Sequence, residues 1–126
     1  MAEMIGDIIM GGKQLPLSKA VRANGFIFAS GQLPLGADGA LVGGDIETQA
    51  RAALECLKAV LTQAGAELTD VVKVTVWLTD QKNFAGFNKV YAEYFSDWRP
   101  ARSTVISDLV VDAKIEIEAV AVDKAS

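Results

Sequence analysis

Few side chains in this chain can do acid-base or nucleophilic chemistry. Histidine is absent from the 126 residues, which excludes Ser-His-Asp and Cys-His mechanisms and removes the commonest transition-metal ligand. Cys56 is the only cysteine, so neither an internal disulfide nor a zinc-type cysteine cluster is possible. It lies beside the apolar stripe of a predicted helix, where we expect a structural thiol. We therefore expect no metal site.

The remaining candidates are polar side chains that share one face of a predicted sheet. Apolar and polar residues alternate along two strand-like segments, at 72–79 and 113–122. We expect the polar face to carry Lys73, Thr75, Trp77, Glu116 and Glu118, together with Arg102 and Thr104. A guanidinium can hold a carboxylate through two parallel hydrogen bonds. From the residues alone, an ion pair between Arg102 and a strand carboxylate such as Glu118 is the favoured interpretation.

The elements that position these residues can be predicted along the chain. Two extended segments, 18–22 and 26–32, flank Asn24-Gly25, which supplies the positive-φ residues of a tight hairpin. Asp45 then stands at the N-cap of a helix whose apolar residues recur every three or four positions until Gly65. The spacing predicts a hairpin followed by a long amphipathic helix.

The second half of the chain predicts a strand at 72–78, a helix at 83–95 that ends before Pro100, and strands at 101–109 and 113–122. The order is β-β-α-β-α-β-β, an α+β sheet with two helices on one face. Two helices leave the other face uncovered. An exposed Trp77 among charged groups is typical of an interface, so we expect the chain to associate with copies of itself.

Composition limits the remaining possibilities. With 51% apolar and 22% charged residues, residues 1–126 are expected to form a single globular domain. The net charge of −4 repels a phosphate backbone, and the glycine-rich loop at 36–44 lacks phosphate-binding spacing, so nucleic acid is not an expected partner. Glu3 and Asp7 stand where a secretion signal would be basic, and no apolar run is long enough to cross a membrane. We expect a cytoplasmic protein with no membrane association.

Several motifs carry a resemblance to a known family. The segment RPARST at 99–104, followed by KIEIEAVA at 114–121, resembles the C-terminal signature of the RidA/YjgF family of reactive intermediate deaminases. FASGQLP at 28–34 resembles the family's Ser-Gly-Gln-x-Pro strand end, and residues 83–91 resemble its second helix, including Asn88. The resemblance covers the chain from about Pro16 to the C-terminus.

The resemblance implies a chorismate-mutase-like homotrimer whose sheets form a central barrel, with three sites in the clefts between subunits. It implies that Arg102 and Glu116 project from adjacent C-terminal strands and meet in one such cleft. One subunit would supply Arg102, Thr104 and Glu116. The neighbouring subunit would supply Ser30, Gly31 and Asn88.

The activity that the resemblance implies is hydrolysis of small 2-imino acids, such as 2-iminobutanoate and 2-iminopropanoate, to 2-oxo acids and ammonia. Arg102 would hold the C1 carboxylate of the substrate. Glu116 would position and deprotonate the attacking water and return the proton to the departing ammonia. Ser30, Gly31, Asn88 and Thr104 would complete the polar lining, and this chemistry requires no cofactor.

Two positions depart from the family pattern. Leu15-Pro16-Leu17 stands where deaminases of the family commonly have Gly-Pro-Tyr, and Thr104 stands where many have cysteine. Leu17 removes an aromatic ring and a hydroxyl from the expected substrate-binding cleft, which favours a larger or more apolar substrate. Thr104 matters less, because carboxylate anchoring and an activated water need no thiol.

Other functions stay open. The same fold could deaminate an aminomuconate-like or aminoacrylate-like pathway intermediate. A non-catalytic, chaperone-like trimer could instead bind 2-oxo acids through the same arginine. Family members have also been labelled endoribonucleases, but an acidic chain without histidine or a basic aromatic patch gives that function little physical support.

Overall fold

Six strands form one sheet, and two helices cover one of its faces. The computed structural model describes residues 1–125. The strands are β1 (Glu3–Met10), β2 (Lys13–Ala23), β3 (Phe26–Gln32), β4 (Val71–Leu78), β5 (Ala101–Ile106) and β6 (Ile115–Val122), and the helices are α1 (Ile46–Gln63) and α2 (Phe84–Tyr94). Short 3₁₀ turns at Leu68–Asp70 and Gln81–Asn83 precede β4 and α2. The strand order is β1-β2-β3-β6-β4-β5, and the predicted α+β class is confirmed.

The predicted hairpin and first helix have the expected ends. Asn24 and Gly25 have φ angles of 53° and 84°, as a two-residue turn between β2 and β3 requires. The side chain of Asp45 accepts a hydrogen bond from the backbone N–H of Thr48 at 2.9 Å, which caps α1. Gly65, with a φ of 84°, follows the end of α1.

The strand β1 was not predicted. It forms an antiparallel pair with β2, but its register shifts between Asp7 and Ile9, and Gly6 has a φ of 74°. Met4 and Ile9 are exposed. Because this edge strand buries little and contains a bulge, it lacks the alternation of apolar and polar residues from which a strand is recognised.

The two C-terminal strands are not adjacent, contrary to the prediction. β5 is parallel to β4, and β6 is antiparallel to the other edge of β4, so β4 lies between them. The connection at 107–114 leaves β5 earlier than predicted and crosses the end of β4, where the N–H of Ser107 donates to the carbonyl of Leu78 at 2.9 Å. A hairpin would have placed β5 and β6 side by side, but this connection is longer than hairpin loops usually are.

The core lies between the sheet and the helices. Alternate residues of the central strands are fully buried against α1 and α2, among them Val74, Val76, Leu78, Ile115 and Ile117. The opposite face, which we call the open face, carries Trp77 beside Glu116 and Thr75 beside Glu118, as predicted. None of the helices within residues 1–125 is both long and apolar enough to cross a membrane.

Candidate functional site

Arg102 lies on the helix-covered side of the sheet. In the β4–β5 register it is the partner of Val74, and Thr104 is the partner of Val76, two residues whose side chains are buried in the core. The prediction that Arg102 and Thr104 belong to the open face is therefore wrong. Edge strand β5 is only partly covered by α2, which lets a long polar side chain occupy a position that is apolar on β4.

Three aromatic rings of α2 surround the Arg102 guanidinium. Its Cζ atom is 4.6 Å from the ring centroid of Tyr91, 5.2 Å from that of Phe87 and 5.9 Å from that of Phe84. These distances are within the range of cation-π attraction. The rings hold the cation in place, so its orientation does not depend on an acidic partner.

Within residues 1–125, no Asp or Glu oxygen lies within 4.0 Å of the Arg102 guanidinium. The ion pair with Glu118 that the residues alone favoured is not made within the chain, because Glu118 belongs to the open face. A half-buried guanidinium normally has an anionic partner. Because Arg102 has none within residues 1–125, it is available to bind a carboxylate from outside the chain.

A pocket of about 290 Å³ opens beside Arg102. It is lined by Asn88, Tyr91, Ala92, Phe95, Arg99, Pro100 and Arg102. Asn88 and Tyr91 lie three residues apart on α2, so they present their side chains to the same side of the helix. This pocket brings together the predicted residues Arg102 and Asn88.

The Tyr91 hydroxyl is buried next to this arginine. Tyr91 is 7% exposed, and its hydroxyl has no hydrogen-bond partner among the residues that the structure describes. Burial raises the pKa of Tyr91 to about 12, and the nearby Arg102 charge offsets part of that rise. The hydroxyl is therefore neutral at physiological pH.

A second group of predicted residues gathers around the C-terminal end of β3. The Ser30 hydroxyl donates to the carbonyl of Ser18 at 2.6 Å, which ties β3 to the segment that carries Leu17, an exposed residue of β2. A Cβ atom added to Gly31 would overlap the carboxylate of Glu116, whose carbon Cδ would be 2.9 Å away. The absence of a side chain at Gly31 thus allows Glu116 to lie directly against the backbone of β3.

Glu116 is a partly buried acid on the open face. Burial raises its pKa above the ordinary value of 4.5, and the neighbouring negative charge of Glu118 raises the pKa further. Trp77 is its partner across the β4–β6 pair. A carboxylate with a raised pKa is a better proton acceptor near neutral pH than an ordinary glutamate.

The two groups face opposite sides of the sheet. We call Asn88, Tyr91, Arg102 and the rings of Phe84 and Phe87 the arginine half-site. We call Ser30, Gly31 and Glu116 the carboxylate half-site. The expectation that Arg102 and Glu116 lie together in one subunit's share of the cleft is wrong, because β4 separates their strands and their side chains point apart. Asn88 lines the same pocket as Arg102. Glu116 lies beside Gly31, at the end of β3 that also carries Ser30.

The aromatic part of the arginine half-site was not predicted from the sequence. Phe84, Phe87 and Tyr91 recur at helical spacing, a pattern for which core packing is the usual role. Only the tertiary contact of α2 with β5 reveals that these rings also hold a cation. Among residues 1–125, no three acidic or cysteine side chains gather as a metal site would require.

Comparison with known proteins identifies similar chains. Residues 12–123 match a family model described as "Endoribonuclease L-PSP". A RutC family protein of Pyrococcus horikoshii is 50% identical over 108 residues, which cover 84% of this chain and 86% of the relative. TdcF of Escherichia coli, named as a candidate reactive intermediate deaminase, is 38% identical over 114 residues, with 87% and 88% of the two chains covered.

The solved structures agree with these matches. Crystalline TdcF with bound serine superimposes with a TM-score of 0.82 at 34% identity and covers 95% of this chain and 98% of its own. Yeast Mmf1, a protein named as mitochondrial, superimposes with a TM-score of 0.89 at 34% identity, with 98% and 100% of the two chains covered. The likeness therefore extends over nearly the whole chain.

Proposed function

Because this chain belongs to the endoribonuclease L-PSP family, also known as the RidA/YjgF family, we propose that it hydrolyses reactive 2-imino acids to 2-oxo acids and ammonia. TdcF, named as a candidate reactive intermediate deaminase, supports an imine deaminase. The net charge of −4 and the absence of histidine support this reaction over RNA cleavage, since RNA binding favours a basic surface.

The observation that carries the proposal is the unpaired Arg102. A guanidinium on three aromatic rings, with no acidic partner within residues 1–125, is suited to hold the C1 carboxylate of a small acid through two parallel hydrogen bonds. Its fixed orientation would place the C2 imine carbon at a constant position. Serine, which TdcF binds, also carries a carboxylate next to a nitrogen-bearing carbon.

The proposed site is completed by a second copy of the chain. The open face carries exposed apolar side chains, among them Phe26, Phe28, Val105 and Val122, and such a patch favours burial against another protein surface. A homotrimer with a central barrel would bring the carboxylate half-site of one chain opposite the arginine half-site of its neighbour. Each cleft would then contain one Arg102 and one Glu116, contributed by different chains.

The proposed reaction needs only water and a proton relay. Glu116 accepts a proton as a water oxygen bonds to C2 of the protonated imine, which gives a carbinolamine. The same carboxyl group then returns that proton to the nitrogen. The C2–N bond breaks, ammonia leaves with the bonding pair, and loss of the hydroxyl proton yields the 2-oxo acid. The raised pKa of Glu116 suits both proton transfers, from the water to the carboxylate and from the carboxyl group to the nitrogen.

Substituting Arg102 tests the proposal. With 2-iminobutanoate or 2-iminopropanoate generated in situ, Arg102→Ala is expected to lower kcat/KM about 100-fold, the effect of losing a charge-assisted pair of hydrogen bonds. Arg102→Lys should recover only part of the loss, because an ammonium cannot form the planar pair. Arg51, an exposed arginine paired with Glu93, supplies the control, and Arg51→Ala should act like the wild type. Unchanged rates in Arg102→Ala would contradict the proposal.

The same assay separates the other functions. Turnover of an aminoacrylate-like or aminomuconate-like compound in preference to 2-iminobutanoate would indicate a degradative pathway enzyme, which Leu17 favours by removing a ring from the cleft. Binding of 2-oxo acids without turnover of any imine would indicate a non-catalytic sensor. We propose a cytoplasmic location. Because the relative Mmf1 is named as mitochondrial, imaging a fluorescent fusion of this chain in cells should test that location.

A further inference from the structure

A second arginine lines the pocket beside Arg102. Arg99 is exposed, and its Nη1 atom donates to the carbonyl of Ser96 at 2.7 Å. Like Arg102, it has no Asp or Glu oxygen within 4.0 Å in the part of the chain that the structure describes. The pocket lining therefore contains two arginines that have no acidic partner within residues 1–125.

The rest of the pocket wall is mostly apolar. Tyr91, Ala92, Phe95 and Pro100 line it together with the two arginines and Asn88. A monocarboxylic acid bound to Arg102 would leave the cation of Arg99 unused. An acid with two carboxylates joined by a short methylene segment matches both the pair of cations and the apolar wall.

We propose that this pocket binds a 2-oxo or 2-imino dicarboxylic acid, with the C1 carboxylate on Arg102 and the distal carboxylate on Arg99. The inference rests on the proposed role of Arg102 as the anchor. The pocket volume of about 290 Å³ is at the lower end of the range for small-molecule sites, roughly 300–1,000 Å³, which suits a short-chain acid.

The hydrogen bond from Arg99 to Ser96 helps to position the second cation. A guanidinium has five N–H donors, so the bond to Ser96 holds the group near the pocket and leaves other donors for a carboxylate. The net charge of −4 disfavours a dianion at long range. Preference for a diacid must therefore come from these two local cations.

Calorimetric binding of two product-like acids tests the proposal. 2-Oxoglutarate and 2-oxopentanoate have equal chain lengths and differ at the distal carboxylate. The wild type should bind the diacid about tenfold more tightly. Arg99→Ala should weaken the diacid about fivefold to tenfold and leave the monoacid within about twofold, whereas Arg51→Ala, which removes an exposed guanidinium elsewhere, should change neither.

The variants distinguish failure of this inference from failure of the proposed function. Equal affinity of the wild type for both acids, or equal weakening of both by Arg99→Ala, would overturn the dicarboxylate proposal. Arg102→Ala should weaken both acids, and unchanged binding in that variant would overturn the anchor and this inference with it. Selective diacid binding without turnover of any imine would uphold the inference and contradict the deaminase.

Discussion

At the scale of single residues, Glu116 determines how activity should depend on pH. Its pKa is raised by burial and by the charge of Glu118. Because the proposed base must be ionised, activity should fall on acidification at a higher pH than an ordinary glutamate would give. Glu118→Gln removes the second cause and leaves the first. The acidic limb of kcat/KM, measured from pH ~4 to 8, should therefore move to lower pH in this variant.

The control for this experiment is Glu93→Gln, which removes an exposed acid from α2 far from the open face. The acidic limb of kcat/KM should lie at the same pH in Glu93→Gln as in the wild type. An acidic limb that stays in place in Glu118→Gln, or that moves to higher pH, would contradict the assignment of Glu116 as the group that titrates.

Tyr91 carries a buried hydroxyl that makes no hydrogen bond of ordinary geometry within residues 1–125, although the Arg102 guanidinium lies beside it. Water solvates this group in the unfolded chain, so its burial costs about 1–3 kcal/mol. Tyr91→Phe should therefore raise the free energy of unfolding, by about 1 kcal/mol in urea titrations. The hydroxyl of Tyr94, on the same helix, donates to the carboxylate of Glu55 at 2.7 Å. Tyr94→Phe should therefore lower the free energy of unfolding slightly. A marked destabilisation by Tyr91→Phe would mean that its hydroxyl has a partner in the assembled protein.

At the scale of elements, Gln49 connects α1 to the two loops beside it. This residue is 5% exposed. Its side chain donates to the carbonyl of Val42 at 2.9 Å and accepts from the N–H of Lys114 at 2.7 Å. Gln49→Ala leaves both backbone groups without these partners and should lower the free energy of unfolding by about 1–3 kcal/mol.

Gln63, exposed at the end of α1, supplies the matched control for this change. Gln63→Ala should alter the free energy of unfolding by no more than about 0.5 kcal/mol. If the two variants unfold at the same urea concentration, Gln49 does not tie the loops to the helix.

The elements that the sequence predicts are those with a local physical cause. α1 has an N-cap at Asp45, a regular apolar stripe and Gly65 beyond its end, and the β2–β3 hairpin has Asn24-Gly25. β1 and the order of the last strands have no such local signal, because an edge strand buries little and strand neighbours are chosen by tertiary packing. The residues that resemble the family can be named from the sequence, but the face that Arg102 and Thr104 occupy depends on the register of β5 against β4, which has no local signal.

At the scale of the whole molecule, each chain carries two half-sites on opposite faces of its sheet. Arg102 lies against α2 at one edge of the sheet, and Glu116 lies on the open face beside Gly31. In the proposed homotrimer, every cleft would take its guanidinium from one chain and its carboxylate from the next. The family resemblance names these residues but assigns Arg102 and Glu116 to the same side of one cleft, whereas the structure places their side chains on opposite faces of the sheet.

Mixing two inactive variants tests this arrangement most directly. As pure assemblies, Arg102→Ala and Glu116→Gln are each expected to keep no more than about 1% of the wild-type kcat/KM, which is close to inactivity. When equal amounts are unfolded and refolded together, about a quarter of the clefts should receive an intact Arg102 from one chain and an intact Glu116 from its neighbour. The mixture should therefore recover about a quarter of the wild-type deaminase activity. Full refolding of mixed assemblies with no recovered activity would contradict a site shared between chains.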